Sequence, residues 1–117
     1  MRLFTVAITL LAAASSLPAA DVPDFNREVR PILEAKCQKC HGPDKQKGGY
    51  RLDASQVALH GGESHAPNIV PGRPEKSPLL RFIAGAEPEM RMPPKGALLT
   101  ATEQATLRAW IAEGAVW

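Results

Sequence analysis

Between Gly42 and Gly96 the chain concentrates 8 of its 9 glycines and 8 of its 11 prolines, a density close to that of segments that stay disordered. A stretch so rich in turn formers has few apolar side chains to bury, and they cannot offset the conformational entropy lost when its loops become ordered. If the segment folds, something other than polypeptide has to fill its centre.

Helical patterns flank it. Upstream, Phe25, Val29, Ile32, Leu33 and Cys37 recur at helical spacing, and Pro31 suits the first turn of a helix beginning near Arg30. Downstream, Thr100 and Glu103 form a Thr-x-x-Glu capping box, Leu107, Trp110 and Ile111 share one face, and Gly114 supplies a stop after Glu113. Inside the loop-rich middle, Ser77 and Pro78 read as N-cap and first residue of a short helix through Leu79, Leu80, Phe82 and Ile83, ended by Gly85. A brief helix is also predicted around Ser55 to Leu59, stopped by Gly61 and Gly62. Only Tyr50 to Leu52 carries a strand signal, as one short extended pair. The expected class is all-α, with three to four short helices and long loops.

The N-terminus sets the compartment. Met1 and Arg2 precede an apolar run from Leu3 to Ala14, too short to span a bilayer, and the small residues Ser15, Ser16, Ala19 and Ala20 follow it. This pattern predicts a signal peptide over residues 1–20, cut after Ala19 or Ala20, and one exported domain over residues 21–117. Its expected location is the periplasm, with membrane association if the segment stays uncleaved. Removing residues 1–20 leaves 97 residues, a size at which small domains usually rely on a disulfide, a metal or a cofactor. The formal charge of +2 falls to +1 without Arg2, so no strong field points to nucleic acid or to an anionic membrane surface.

The only two thiols lie in "AKCQKCHGPDK", where Cys37, Cys40 and His41 occupy positions i, i+3 and i+4 and on a helix would share one face. Two thiols can form thioethers to the vinyl groups of a haem while the imidazole after the second cysteine takes the iron; Cys-x-x-Cys-His is the attachment signal of c-type haem. Three other readings use the same residues. A Cys37–Cys40 disulfide fits an oxidising compartment. A redox dithiol would need a βαβ context that this chain lacks. A zinc site would take Cys37, Cys40, His41 and either His60 or His65, without the second ligand pair usual in structural sites. For the other axial position of a haem iron the chain offers Met92 first, held against Pro93 and Pro94 in "PEMRMPPKG", then Met90, then His60 or His65.

Taken together, "FNREVRPILEAKCQKCHGPD", "GGYRLDA", "GGESHAPNIVPGRPEKSPLL", "RMPPKG" and "LTATEQATLRAWIAEGAVW" resemble the planctomycete-type cytochrome c domain over Asp24 to Trp117. The resemblance implies a cytochrome c-like fold wrapped around one covalently bound haem c per chain. It implies attachment at Cys37 and Cys40, His41 as proximal iron ligand and Met92 as distal ligand. Domains of that family usually open longer exported proteins, and no activity of such further domains is carried over to this chain, which stops at Trp117.

The expected function is electron transfer without a small-molecule substrate, by a carrier and not an enzyme. The alternative is a haem-based module that binds or senses a small ligand when its sixth ligand leaves, and a peroxidase would need distal acid and base groups that only His60 and His65 offer. Redox proteins are the expected partners, and Lys36, Lys39, Lys45 and Lys47 around the attachment site suggest a basic docking rim. Trp110, Ile111, Leu107, Leu80 and Phe82 are expected to pack against haem. Tyr50 and Arg51 are candidates for its propionates, although a lone arginine is more simply a solvated charge.

Overall fold

The computed structural model describes residues 22–117, so the predicted signal peptide lies outside the described residues. Among them there are four α-helices and no strand.

The first α-helix begins at Arg30 as expected, and a helical turn precedes it. A π-helical turn, Phe25–Val29, runs directly into α1, Arg30–Lys36. The reason is a cap that the apolar pattern does not reveal: the Asp24 carboxylate accepts from the Arg27 N–H at 2.8 Å, and the Glu28 carboxylate accepts from the Asp24 N–H at 2.6 Å. Pro31 sits in the first turn of α1 as predicted. The stretch buries Phe25, Val29, Ile32 and Leu33.

α2, Ser55–His60, is one short helix closed by Gly61, whose φ is +107°; a Cβ there would lie 2.2 Å from the His65 carbonyl oxygen. α3, Pro78–Ile83, starts at Ser77 as predicted, but its cap is spent elsewhere. The Ser77 hydroxyl accepts from the Val70 N–H at 2.9 Å and donates to the Arg73 carbonyl at 3.0 Å, bracing the Pro-rich loop that precedes the helix. α4, Ala101–Ala112, has the predicted capping box in full: the Thr100 N–H donates to Glu103 Oε1 at 2.9 Å and the Glu103 N–H to Thr100 Oγ1 at 3.1 Å.

α4 packs on the Phe25–Val29 turn, on α3 and on the short turn Pro74–Lys76. Leu107 and Ile111 are fully buried, and Phe25, Trp110 and Trp117 form an aromatic cluster with ring centroids 4.6 to 6.0 Å apart. The Trp110 indole satisfies its N–H on the Val116 carbonyl at 2.9 Å. The helices thus make a small all-polypeptide core at one side. The same core continues to Leu52, Leu79, Ile83 and Leu99, which together with Phe82 are buried as residues yet line a cavity that reaches the surface. Of the five side chains expected to pack against haem, Phe82 alone lines this cavity; Leu107, Trp110 and Ile111 do not, because α4 packs on the Phe25–Val29 turn, and Leu80 of α3 is buried in the core instead.

Candidate haem site

The attachment stretch does not continue α1. The helix ends at Lys36, and Cys37, its C-cap, adopts φ −127°, ψ −44°. The Leu33 carbonyl accepts from both the Cys37 and Gln38 N–H groups, at 3.0 and 2.9 Å, which stops the helix. A single turn follows, in which the Cys37 carbonyl accepts from the Cys40 N–H at 3.2 Å and the His41 N–H at 2.9 Å. The expected i, i+3, i+4 relation therefore survives as one isolated turn, and Cys37, Cys40 and His41 all line the cavity. Gly42 is required behind them: a Cβ there would stand 2.3 Å from the Gln38 carbonyl oxygen.

A second segment locks this turn from outside. The Leu52 N–H donates to the His41 carbonyl at 2.8 Å, and the Gln38 side-chain amide donates to the Leu52 carbonyl at 3.1 Å. No strand or bridge forms at Tyr50 to Leu52, where an extended pair is expected, because this segment spends its hydrogen bonds on the attachment turn; the isolated antiparallel bridge among the described residues joins His41 and Gln46. The His41 ring is fixed as well. Its Nδ1 lies 3.1 Å from the Tyr50 carbonyl oxygen, and since a carbonyl only accepts, Nδ1 carries the proton and Nε2 keeps its lone pair.

Met90 and Met92 line the same cavity, with Pro93 and Pro94. Met92 is the better held: its N–H donates to the Phe82 carbonyl at 3.0 Å, and its side chain packs against the hydrophobic core. The Arg91 guanidinium donates to the Gly96 carbonyl and closes the loop around it. The structure so brings Cys37, Cys40, His41 and Met92 to one cavity, and leaves His60 outside it on the exposed end of α2.

His65, with His60 the last of the axial candidates, stands in the cavity wall with its ring edge-on to Phe82, centroids 4.8 Å apart. Asn68, which the sequence reading passed over, also lines the cavity and is buried. The signal that could have found both is the pair Gly61 and Gly62, which turns the chain back so that residues 64 to 68 face the attachment turn. Tyr50 is buried at the cavity with its hydroxyl donating to the Ala58 carbonyl at 2.7 Å, and Arg51 is turned to Asp53 in a two-bond pair at 2.6 and 2.9 Å. That pair holds the Asp53 carboxyl below its ordinary range, and it removes Arg51 from the list of groups aimed at the cavity.

Both thiols are free. Burial first, and the charge of Glu103 second, push the Cys37 thiol up to about 12, the opposite of the lowered value that activates a redox dithiol. Among the described residues no three His, Cys, Asp or Glu side chains converge closely enough to share a metal ion, which removes the support for a zinc site. What remains is a largely apolar cavity with two thiols, a tautomer-fixed imidazole and a thioether on its walls. A flat iron macrocycle suits that donor set: the soft and borderline ligands match iron, and the apolar walls match a porphyrin face.

Helical fold and donor set together define a small domain of the cytochrome c kind. Residues 37–96, 60 of the 117, match the family described as planctomycete cytochrome C, and the chain belongs to that family. Membership implies a haem-binding, electron-carrying role. No curated protein and no solved structure matches the chain.

Proposed function

We propose that the chain is an exported electron carrier that holds a single haem c through thioethers at Cys37 and Cys40, with the iron between His41 and Met92. The observation that carries this reading is the Nδ1–H bond from His41 to the Tyr50 carbonyl, which leaves Nε2 as the free donor in a cavity that Met92 also lines. When bound, the haem supplies a one-electron ferric/ferrous couple.

The residues then act as follows. The Tyr50 carbonyl holds His41 in one tautomer and raises its basicity toward a metal. Met92 offers a neutral, soft sulfur that favours the reduced ion and so raises the potential. Its bond to Phe82 and the flanking prolines keep that weak ligand in place. Leu52, Leu79, Ile83 and Leu99 exclude water and lower the local dielectric, which disfavours the extra charge of the oxidised state.

The proposed partner is an acidic redox protein. Lys36, Lys39, Lys45 and Lys47 are all exposed, and none is in an ion pair among the described residues. Lys36 and Lys47 also line the cavity whose attachment turn they flank. Residues 35–49 hold these four lysines against Asp44 alone, a local charge of +3 in a chain whose total is +2. Such asymmetry steers encounter more than it adds affinity.

The test is expression with haem-attachment machinery present. The mature protein should gain the mass of one haem, give a c-type pyridine haemochrome and begin at Ala20 or Asp21. Colourless protein without added mass would refute the haem reading, and an intact Met1 in exported material would refute cleavage.

A further inference from the structure

One polar side chain at the cavity is left over after the ligands are assigned. Asn68 is 95% buried, being 5% exposed, and its Oδ1 has no hydrogen-bond partner. The Tyr50 hydroxyl stands beside it but has already given its proton to the Ala58 carbonyl. A buried amide oxygen without a donor loses its solvation and recovers nothing, so native folds nearly always supply a partner. Here the polypeptide supplies none.

Asn68 is one of the polar side chains that two neighbouring loops bring to the cavity lining. The two loops touch: the Glu63 N–H donates to the Gly48 carbonyl at 2.9 Å, and a Cβ on Gly62 would stand 2.6 Å from the same oxygen. The first loop brings Lys47 to the lining and the second brings Ser64, with Asn68 just beyond. Lys47, Ser64 and Asn68 so bring a cation, a hydroxyl and a buried amide to the lining of a cavity that is otherwise mostly apolar.

We infer that Lys47, Ser64 and Asn68 form the seat for the carboxylate arms of the haem; the inference rests on the haem reading above. A porphyrin with two propionates cannot bury them against leucine and phenylalanine, because an ionised carboxylate needs charge or donors where water is excluded. Lys47 supplies charge and Ser64 a hydroxyl donor. Asn68 Oδ1 and a carboxylate are both acceptors, so one water donates a hydrogen to each and joins them. That water gives Oδ1 the donor it lacks, and Asn68 becomes a positioning residue acting through it.

The test uses the haem-loaded protein, with haem content checked by mass in every sample. In the reduced wild type, proton Overhauser contacts should run from the propionate methylenes to the side chains of Ser64 and Asn68. Asn68→Leu keeps the branched shape and removes the acceptor. It should move the propionate methylene resonances and shift the ferric/ferrous equilibrium up to about tenfold toward ferric, a potential lower by about 59 mV for one electron. Asn68→Thr, which restores an oxygen, should recover most of that shift. Propionate contacts confined to other side chains would overturn the inference, as would Asn68→Leu protein with unchanged resonances and potential. Should Asn68→Leu fail to fold, the wild-type contacts decide alone. Wild-type protein without haem would overturn the underlying reading together with the inference, whereas loaded protein with misplaced propionates overturns only the inference.

Discussion

Replacing both attachment cysteines, Cys37→Ala with Cys40→Ala, asks whether haem is the centre that the Gly- and Pro-rich segment lacks. Without covalent attachment the cavity of about 190 Å³ stays unfilled by porphyrin, and at about 24 cal/mol per Å³ this costs about 5 kcal/mol. The 96 described residues correspond to a total stability of about 5–14 kcal/mol at the usual per-residue range, so the cost removes a third of it at least. At about 4–8 °C per kcal/mol, the midpoint of thermal unfolding should drop by about 20–40 °C relative to the loaded protein.

The loss should also be uneven. Phe25, Trp110 and Trp117 stack among themselves and away from the cavity, so the Phe25–Val29 turn and α4 keep a reason to pack. α3 and the loops from Gly61 to Leu99 close on the cavity and lose theirs. Far-ultraviolet circular dichroism should therefore show reduced helix content with a broad transition, and hydrogen exchange should show protection surviving in α4 and in the Phe25–Val29 turn packed on it. Native helix content, a sharp transition within a few degrees of the loaded protein and uniform protection would refute the claim that the cofactor supplies the core.

Met92→Ala should abolish the sulfur-to-iron charge-transfer absorption and lower the reduction potential, while Met90→Ala leaves both nearly unchanged; the reverse pattern would move the distal ligand to Met90. Gly42→Ala forces a Cβ to within 2.3 Å of the Gln38 carbonyl, so the attachment turn has to shift, and both haem yield and thermal stability should fall; normal yield would show the turn to be pliant. Burial pushes the phenol of Tyr50, the only tyrosine, above its ordinary range, so the proton is held more tightly in the folded state. Its contribution is intact below the unfolded value of about 10 and is lost as pH rises beyond it. Denaturant midpoints measured from pH 9 to 11 should fall more steeply for wild type than for Tyr50→Phe, and parallel curves would contradict this. Reduction by an acidic redox partner should slow steeply with added salt, as screened charges at the lysine rim no longer steer the encounter; rates indifferent to ionic strength would remove the rim from the docking surface.

What the sequence discloses depends on whether a residue's role is local. The capping box at Thr100 and Glu103, the stop at Gly114 and the short helices at Ser55 and Pro78 are decided within a few residues, and all four form as the pattern predicts. So does the clustering of Cys37, Cys40 and His41, although an isolated turn replaces the helix, since Leu33 accepts both N–H groups that would have extended it. Asp24 escaped notice because its partner Glu28 sits one position beyond the usual capping-box spacing, the offset that a π-helical turn introduces. Roles set by distant loops are not legible in this way. For His65 and Asn68 the local hint is the Gly61–Gly62 pair, which marks a turn but not what the turned loop faces; that is decided by its contact with Gly48 and Tyr50. The same loop contact buries the Asn68 amide without a donor, whereas Arg51, the more conspicuous charge in sequence, is neutralised by Asp53 two residues away. A conspicuous charge can satisfy itself locally, so the residue most dependent on a bound group is the inconspicuous one that the fold leaves unpaired.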